Sequence, residues 1–183
     1  LRLPGRHNLA NAMAACAVGA ALGFDPQAMQ SGIASVAGVP HRLELVREKG
    51  GIRWYNDSIA TAPERVMAAI EAIHTPLVLL LGGRDKDLPW NDLAKMLNTI
   101  KPKVILFGEA ANLIQKALND LENGNPSYPL WKVGKLEEAV SQAAKAAVAG
   151  ESVLLSPGGT SFDAYKDFEA RGEHFRQLVE ALP

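Results

Sequence analysis

The spacing of the hydrophobic residues changes near residue 40 and divides the chain into two parts. Residues 8–22 are rich in alanine with apolar residues on most faces, which predicts a helix that ends at Gly23. Asp25-Pro26 predicts the start of a second helix, which continues to about Ile33. Because two helices without a strand cannot close a core, we expect a domain boundary near Val39-Pro40, with residues 1–40 on one side and 41–183 on the other.

From residue 41 onwards the pattern is that of strands alternating with helices. Apolar and polar residues alternate on both sides of Gly50-Gly51, which predicts a β-hairpin. Further strands are expected at 77–81, 104–107, 130–133 and 153–155, and helices at 64–73, 90–99, 110–119 and 136–148. This alternation predicts an α/β domain, in which a mostly parallel sheet has helices on both faces and right-handed crossovers.

Composition excludes several classes of protein. Lys plus Arg (19) nearly balances Asp plus Glu (20), so no basic surface for nucleic acid or an anionic membrane is indicated. The single cysteine, Cys16, excludes a disulfide within the chain and fits a cytoplasmic location. The longest aliphatic run, 77–81, is too short to cross a bilayer, so we expect no membrane insertion. The chain begins with Leu1 rather than Met, which suggests a fragment of a longer enzyme.

A small-residue turn follows the last apolar run. Residues 156–161 read SPGGTS, and Phe162, Tyr165 and Phe168 follow at intervals of three. This spacing predicts a helix that starts at Thr160 or Ser161, and the free N–H groups of its first turn could hold an anion. Helix capping alone would also explain the two hydroxyl groups. Packing in the core would also explain the phenylalanines.

Two other loops are expected on the same edge of the sheet. Thr61 and Glu64 fit a T-x-x-E capping box, so Thr61 is either an N-cap or a ligand contact, and Asp57 is either a turn residue or a ligand contact. Gly82-Gly83 permits close approach of a ligand, and Lys86 could hold a carboxylate, although residues 84–87 also fit a solvated charge run. The crevice made by the three loops is predicted to bind a small acidic ligand.

The common nucleotide and metal fingerprints are missing. The sequence has no G-x-x-x-x-G-K-[ST] loop, and no G-x-G-x-x-G follows a strand, which disfavours a dinucleotide dehydrogenase. It also lacks H-E-x-x-H and the Cys/His spacings of zinc sites. We therefore assign no catalytic residue and no metal ligand from these motifs.

Five segments, taken in order and spacing, resemble the Mur ligases. They are LPGRHNLANAMAA (3–15), GVPHRLE (38–44), NDSIAT (56–61), LGGRDKD (81–87) and LLSPGGTSFDAYKDFEARG (154–172). The last two are similar to the glutamate-adding branch of the family. The resemblance implies three domains, of which this chain holds a helical remnant of the central ATPase domain (1–40) and a complete Rossmann-like C-terminal domain (41–183).

The resemblance also implies roles for individual residues. Asn8 and Asn11 would contact adenine, Arg42 the nucleotide phosphates and Asp57 the ribose. The incoming glutamate would be held by Thr61, Lys86, Ser161, Phe162 and Phe168. The phosphate loop and the ligands of the Mg²⁺ that accompanies ATP would lie upstream, so the fragment is expected to be inactive alone.

The reaction implied by the resemblance is ATP-dependent amide formation in peptidoglycan biosynthesis, and hence in cell shape and division. UDP-N-acetylmuramoyl-L-alanine would be activated as an acyl phosphate and attacked by D-glutamate, with release of ADP and phosphate, by a monomeric enzyme. The chain has Ile59 where these ligases often have a lysine, and SPGGTS where they usually have SPACAS. The choice between D- and L-glutamate therefore stays open.

Two other hypotheses remain. A folylpolyglutamate synthase also joins glutamate to an acyl phosphate, but it should lack the segment that runs from SPGGTSFD to FEARG. A domain that binds an acidic ligand without catalysis is the second alternative.

Overall fold

The computed structural model describes residues 5–36, 38–121, 124 and 126–183, so positions 1–4 and 37 of the predicted first domain lie outside it. The helices are α1 (Arg6–Ala21), α2 (Pro26–Ser35), α3 (Pro63–Ala72), α4 (Asn91–Ile100), α5 (Ala111–Leu121), α6 (Leu136–Ala146) and α7 (Phe168–Glu180). The strands are β1 (Glu44–Lys49), β2 (Ile52–Asn56), β3 (Leu77–Gly82), β4 (Lys103–Phe107), β5 (Leu130–Lys132) and β6 (Ser152–Gly158). The predicted strands and all the predicted helices except the one at 160–161 are confirmed to within a few residues.

The two N-terminal helices end and begin where the sequence predicts. Gly23 follows α1 with a left-handed φ of 75°, and the Asp25 carboxylate caps α2 by accepting a hydrogen bond of 2.9 Å from the N–H of Ala28. Much of the apolar surface of α1 is exposed, including Met13 and Val18, and α2 has no buried residue. The two helices therefore bury little of their own surface. The division at residue 40 stays a prediction.

The six strands form one sheet in the order β1-β2-β6-β3-β4-β5. β1 and β2 pair antiparallel as the hairpin predicted around Gly50-Gly51, and the other neighbouring strands pair parallel. The prediction of a mostly parallel α/β sheet is thus confirmed. The connections also place β6 between β2 and β3, so the carboxyl ends of these three strands are neighbours.

Alternate residues of the central strands pack on opposite faces of the sheet. Leu79 and Leu81 of β3 are fully buried in a cluster with residues of α3, α4 and α5. Val78 and Leu80 are equally buried on the other face, with residues of α6 and α7. A parallel strand covered on both faces needs apolar residues at every position, which explains the continuous run in β3.

The predicted helix start at Thr160 or Ser161 is wrong. α7 begins at Phe168, where Asp167 is the N-cap and its Oδ1 accepts a hydrogen bond of 2.7 Å from the N–H of Ala170. The carbonyl of Ser161 accepts hydrogen bonds from the N–H groups of Ala164 and Tyr165, but this turn does not continue as a helix. An aspartate N-cap competes well with Thr or Ser, and it sets the helix start seven residues later. Ser161 is therefore not at a helix N-terminus.

The capping box at Thr61 is also wrong. The N-cap of α3 is Ala62, and no side chain caps this helix. Pro63 occupies the first helical position and disfavours a helical conformation for the residue before it, and Ala62 is extended, with φ −151° and ψ 145°. Thr61 thus lies one position too early to cap the helix.

Gly172 of α7 gives a test of how this helix packs. A Cβ at this position would collide with Nδ1 of His41, a buried ring that is itself hydrogen bonded. We expect Gly172→Ala to lower the free energy of unfolding by about 1–3 kcal/mol, as overpacking does, although alanine favours a helix. Gly32→Ala in α2 is the control, because a Cβ there meets no atom within 4 Å. Urea unfolding measures both, and equal stability of the two variants would contradict the close packing.

Candidate functional site at the carboxyl edge of the sheet

Three loops are held side by side at the carboxyl ends of β2, β6 and β3. The N–H of Gly158 donates a hydrogen bond of 2.8 Å to the carbonyl of Ala60, which joins the loop after β2 to the end of β6. Arg84 and Thr160 exchange two backbone hydrogen bonds of 2.9 and 2.8 Å, which join the loops after β3 and β6. Ala60 and Thr160 each adjoin a predicted glutamate contact, and Arg84 lies two residues before Lys86. The backbone segments that carry Thr61, Ser161 and Lys86 are therefore brought together.

The loops after β2 and β6 are both fastened to Arg171 of α7. Its side chain is fully buried, and Nε and Nη2 donate to the side-chain and backbone oxygens of Ser58 at 3.0 and 2.8 Å. Nη1 donates to the carbonyl of Gly159 at 3.2 Å. Burial lowers the pKa of Arg171 to about 10, and the nearby charge of Asp163 opposes this shift. The guanidinium remains charged at neutral pH and fixes the distance between the two loops.

Sequence reasoning gave Arg171 no role. The residue falls on the inner face of α7, where Gly172, Phe175 and Val179 are also buried. A charged residue at a core position of an amphipathic helix is unusual and normally has a structural or functional partner. That position is the signal by which Arg171 could have been found.

The predicted glutamate contacts differ in exposure. Ser161 is buried and Thr61 is half-buried, and neither hydroxyl makes a hydrogen bond within the described part of the chain. Phe162 is 60% exposed, whereas Phe168 is half-buried with its ring edge-on to His41, at 6.3 Å between the ring centres. Phe162 therefore exposes an apolar ring to solvent, and Phe168 is fixed by its neighbours.

The two cations after β3 have different surroundings. Arg84 makes a two-pronged ion pair with Glu109, with hydrogen bonds of 2.8 and 3.0 Å to its two carboxylate oxygens. Lys86 is exposed and forms no ion pair with any described residue. Asp85 fixes the loop by accepting hydrogen bonds from the indole N–H of Trp90 and the backbone N–H of Asp87. Lys86 is therefore the cation of this loop that is available to an anionic ligand.

The four predicted nucleotide contacts line two adjoining cavities. A cavity of about 260 Å³ between α1, α2 and the start of the sheet domain is lined by Asn8 and Asn11 together with apolar side chains such as Ile33. A cavity of about 400 Å³ is lined by Arg42, Asp57 and Arg65, and Asn11 and Arg42 line both. Amide groups beside an apolar surface suit a planar base, while a carboxylate beside two guanidinium groups suits sugar hydroxyls and phosphates.

Asp57 is a buried carboxylate in the second cavity. Its Oδ1 accepts a hydrogen bond of 3.1 Å from the N–H of Leu43, and its Oδ2 accepts one of 2.9 Å from the hydroxyl of Ser156. Burial raises the pKa of Asp57 to about 6, although these hydrogen bonds and the charges of Arg42 and Arg65 act in the opposite direction. The group is therefore ionised at neutral pH, but at a cost in stability.

The described residues contain no group of three or more His, Cys, Asp or Glu side chains that could hold a metal ion. The side chains of the described residues thus do not fit a Mg²⁺ site. None of the helices in the described ranges is both long and apolar enough to cross a membrane.

Comparison with known proteins identifies the family. Residues 41–159 match the family model described as "Mur ligase, glutamate ligase domain". This chain belongs to the Mur ligase family. The prediction made from the five sequence segments is confirmed, and the Mur ligase assignment rests on more than half of the chain.

The Mur ligase chain has curated relatives along its whole length. It is 41% identical to a protein of Symbiobacterium thermophilum and 43% identical to one of Nitrosococcus oceani, both named "UDP-N-acetylmuramoylalanine--D-glutamate ligase". Each alignment covers 100% of this chain and 39% of the relative. The chain therefore spans about two fifths of the length of these proteins.

Solved structures show the same fold at lower identity. A pseudomurein peptide ligase type C from Methanothermus fervidus has a TM-score of 0.70 and 20% identity, over 98% of this chain and 36% of that one. A folylpolyglutamate synthase from Mycobacterium tuberculosis, complexed with ADP, has a TM-score of 0.66 and 20% identity, over 100% of this chain and 42% of that one. These likenesses confirm the α/β fold of the Mur ligase chain.

The raised pKa of Asp57 predicts how the stability of this Mur ligase chain depends on pH. The folded state holds the proton up to about pH 6, while the unfolded state releases it near the ordinary value of 3.8. Stability should therefore fall as pH rises from about 4 to 6 and level off above that, by up to about 3 kcal/mol for a shift of about two units. Asp57→Asn should remove this fall.

Chemical unfolding at a series of pH values measures the effect. Asp120→Asn, on an exposed position of α5, is the matched control and should keep the pH dependence of the wild type. If the free energy of unfolding of Asp57→Asn changes with pH in parallel with that of the wild type between pH 4 and 6, burial of the Asp57 charge does not cause the pH dependence in this range.

Proposed function

We propose that this chain is part of an ATP-dependent, cytoplasmic ligase of peptidoglycan biosynthesis that joins D-glutamate to UDP-N-acetylmuramoyl-L-alanine. One observation carries the proposal. The loop between β2 and α3 presents Asp57 to the cavity shared with Arg42, and a few residues later presents Thr61 beside the loop that holds Ser161. The proposed nucleotide site and the proposed amino-acid site would therefore adjoin on one edge of the sheet. The names of the curated relatives support this choice of substrates.

The nucleotide would lie along the two adjoining cavities. Asn8 and Asn11 would hydrogen bond the adenine, and Asp57 would accept hydrogen bonds from the ribose hydroxyls. Arg42, which lines both cavities, would reach the phosphates. A guanidinium group matches phosphate oxygens with paired donors, which makes arginine suited to this position. The ligands of the Mg²⁺ that accompanies ATP would lie outside the described residues.

The glutamate would be held in the crevice between the three loops. Lys86 supplies a positive charge for one carboxylate, because Arg84 is engaged by Glu109. The hydroxyls of Thr61 and Ser161 have no competing partner among the described residues and can donate to carboxylate oxygens. Phe162 and Phe168 would form the walls. With Ile59 in the position where these ligases often have a lysine, Lys86 carries a larger share of carboxylate recognition.

The chemistry follows from how the glutamate is oriented. When its carboxylates are bound by Lys86 and the hydroxyl groups, the amine is the end that faces the acyl phosphate of UDP-N-acetylmuramoyl-L-alanine. ADP is formed when ATP phosphorylates the carboxylate; attack by the amine on the acyl phosphate then gives a tetrahedral intermediate, which collapses to the amide as phosphate leaves and the amine loses a proton. Positioning a nucleophile in this way can lower a barrier by about 7–11 kcal/mol.

The remaining part of the enzyme would complete the site. The exposed apolar residues of α1 support the assignment of residues 1–40 to the end of a central ATPase domain, whose remainder would cover them. We propose that the chain alone is inactive and that the full-length enzyme is a monomer. Closing the two domains would keep water away from the acyl phosphate.

The full-length protein tests the proposed reaction directly. With ATP and UDP-N-acetylmuramoyl-L-alanine, we expect D-glutamate to be joined in an amide with release of one ADP per product, and L-glutamate to react much more slowly. Mass spectrometry of the product and a coupled ADP assay measure both. Extension of a folate acceptor instead would indicate a folylpolyglutamate synthase. Binding of glutamate without any product would indicate a binding domain.

Lys86→Ala tests the amino-acid site. Loss of one charge-assisted hydrogen bond is expected to raise the KM for glutamate about ten- to a hundredfold while the KM for ATP stays within about twofold. Lys49→Ala is the matched control, because Lys49 is an exposed lysine at the hairpin turn, at the opposite edge of the sheet. A glutamate KM that is the same in both variants would remove Lys86 from the site.

A further inference from the structure

The backbone on both sides of Arg42 is left-handed. His41 has a φ of 62° and Leu43 a φ of 44°, and both are L-residues with bulky side chains. Such a conformation is uncommon for a leucine and persists only where the surrounding structure holds it. Arg42 therefore lies at the centre of a constrained turn, and this turn decides where its side chain points.

A carboxylate holds each of the two left-handed residues. The N–H of His41 donates a hydrogen bond of 2.9 Å to Oε2 of Glu44, and the N–H of Leu43 donates one of 3.1 Å to Oδ1 of Asp57. The N–H of Arg42 itself donates to the carbonyl of Val39 at 3.1 Å. All three consecutive N–H groups of the turn are thus satisfied, two of them by negatively charged groups, which make the stronger hydrogen bonds.

Glu44 is in turn oriented by neighbours from other elements. Its Oε1 accepts a hydrogen bond of 2.7 Å from Nη2 of Arg176 in α7, and its Oε2 also accepts one of 3.3 Å from the side-chain amide of Asn56. Arg176 is held a second time by Glu173, at 2.7 Å. The carboxylate of Glu44 is half-buried and has a defined orientation towards the turn.

We propose that Glu44 is a positioning residue for Arg42. By holding the N–H of His41, it keeps the turn left-handed and directs the Arg42 guanidinium into the two cavities that would bind the nucleotide. Glu44 does not line either cavity, so it acts through Arg42 and not on the nucleotide. The inference rests on the proposed function, in which Arg42 contacts the phosphates.

The test uses steady-state kinetics of the full-length enzyme. Glu44→Ala should raise the KM for ATP about tenfold, the size expected for losing one charged hydrogen bond, and leave the KM for glutamate within about twofold. Glu44→Gln keeps an oxygen that can accept from His41 and should recover most of the ATP affinity. Combining Glu44→Ala with Arg42→Ala should add little to the effect of Arg42→Ala alone, because both changes remove the same contact.

The control is Glu48→Ala, an exposed glutamate on the same strand, which should leave both KM values unchanged. If Glu44→Ala does not fold, Arg176→Ala decides, since it frees the Glu44 carboxylate and should raise the KM for ATP by a smaller factor. If Arg42→Ala raises the KM for ATP but the Glu44 or Arg176 variant leaves it unchanged, the positioning role of Glu44 is overturned while the nucleotide role of Arg42 stands. An unchanged KM in Arg42→Ala would instead overturn the nucleotide role of Arg42, and with it this inference. If the effects of Glu44→Ala and Arg42→Ala on the KM for ATP simply add in the double variant, the positioning role of Glu44 is also overturned.

Discussion

The candidate site depends on a buried charge, the guanidinium of Arg171. Loops that meet at the edge of a sheet carry backbone carbonyls without strand partners, and burying such groups is costly unless they are hydrogen bonded. Arg171 supplies donors to Ser58 and Gly159 from one rigid, planar group. The hydroxyl of Ser58 in turn donates a hydrogen bond to the carbonyl of Phe168, at the start of α7. Two loops and a helix are therefore fixed relative to one another by a single side chain.

Most of the fold could be predicted because the residues that pack in the core recur in the sequence with the spacing of a strand or a helix. The continuous apolar run of β3 and the helical spacing of α4 both reflect contacts with the core. The errors at Thr61 and Ser161 have a different origin, since each residue has the chemistry of an N-cap but not the position. Pro63 and Asp167 decide the true helix starts, and local preference for a hydroxyl could not reveal which of the competing signals would prevail.

The candidate site was less accessible to sequence reasoning because it depends on contacts between distant residues. Nothing local shows that Arg84 is engaged by Glu109 while Lys86 is left available, or that Asp57 holds the N–H of Leu43 beside Arg42. Strand order was equally hidden, because a parallel pattern is compatible with several arrangements. The individual residue roles came from the family resemblance and stay predictions, and the structure adds the geometry of the loops and cavities that carry these residues.

The position of β6 has a consequence for how the chain folds. β6 is the last of the described strands along the chain, yet it lies between β2 and β3. Until residues 152–158 leave the ribosome, the hairpin and the β3-β4-β5 unit have no strand to join them, and each exposes an unpaired edge. Such long-range pairing is slow, and exposed edges favour aggregation of the nascent chain. The carboxyl edge that carries the candidate site is therefore assembled only after β6 has been synthesised.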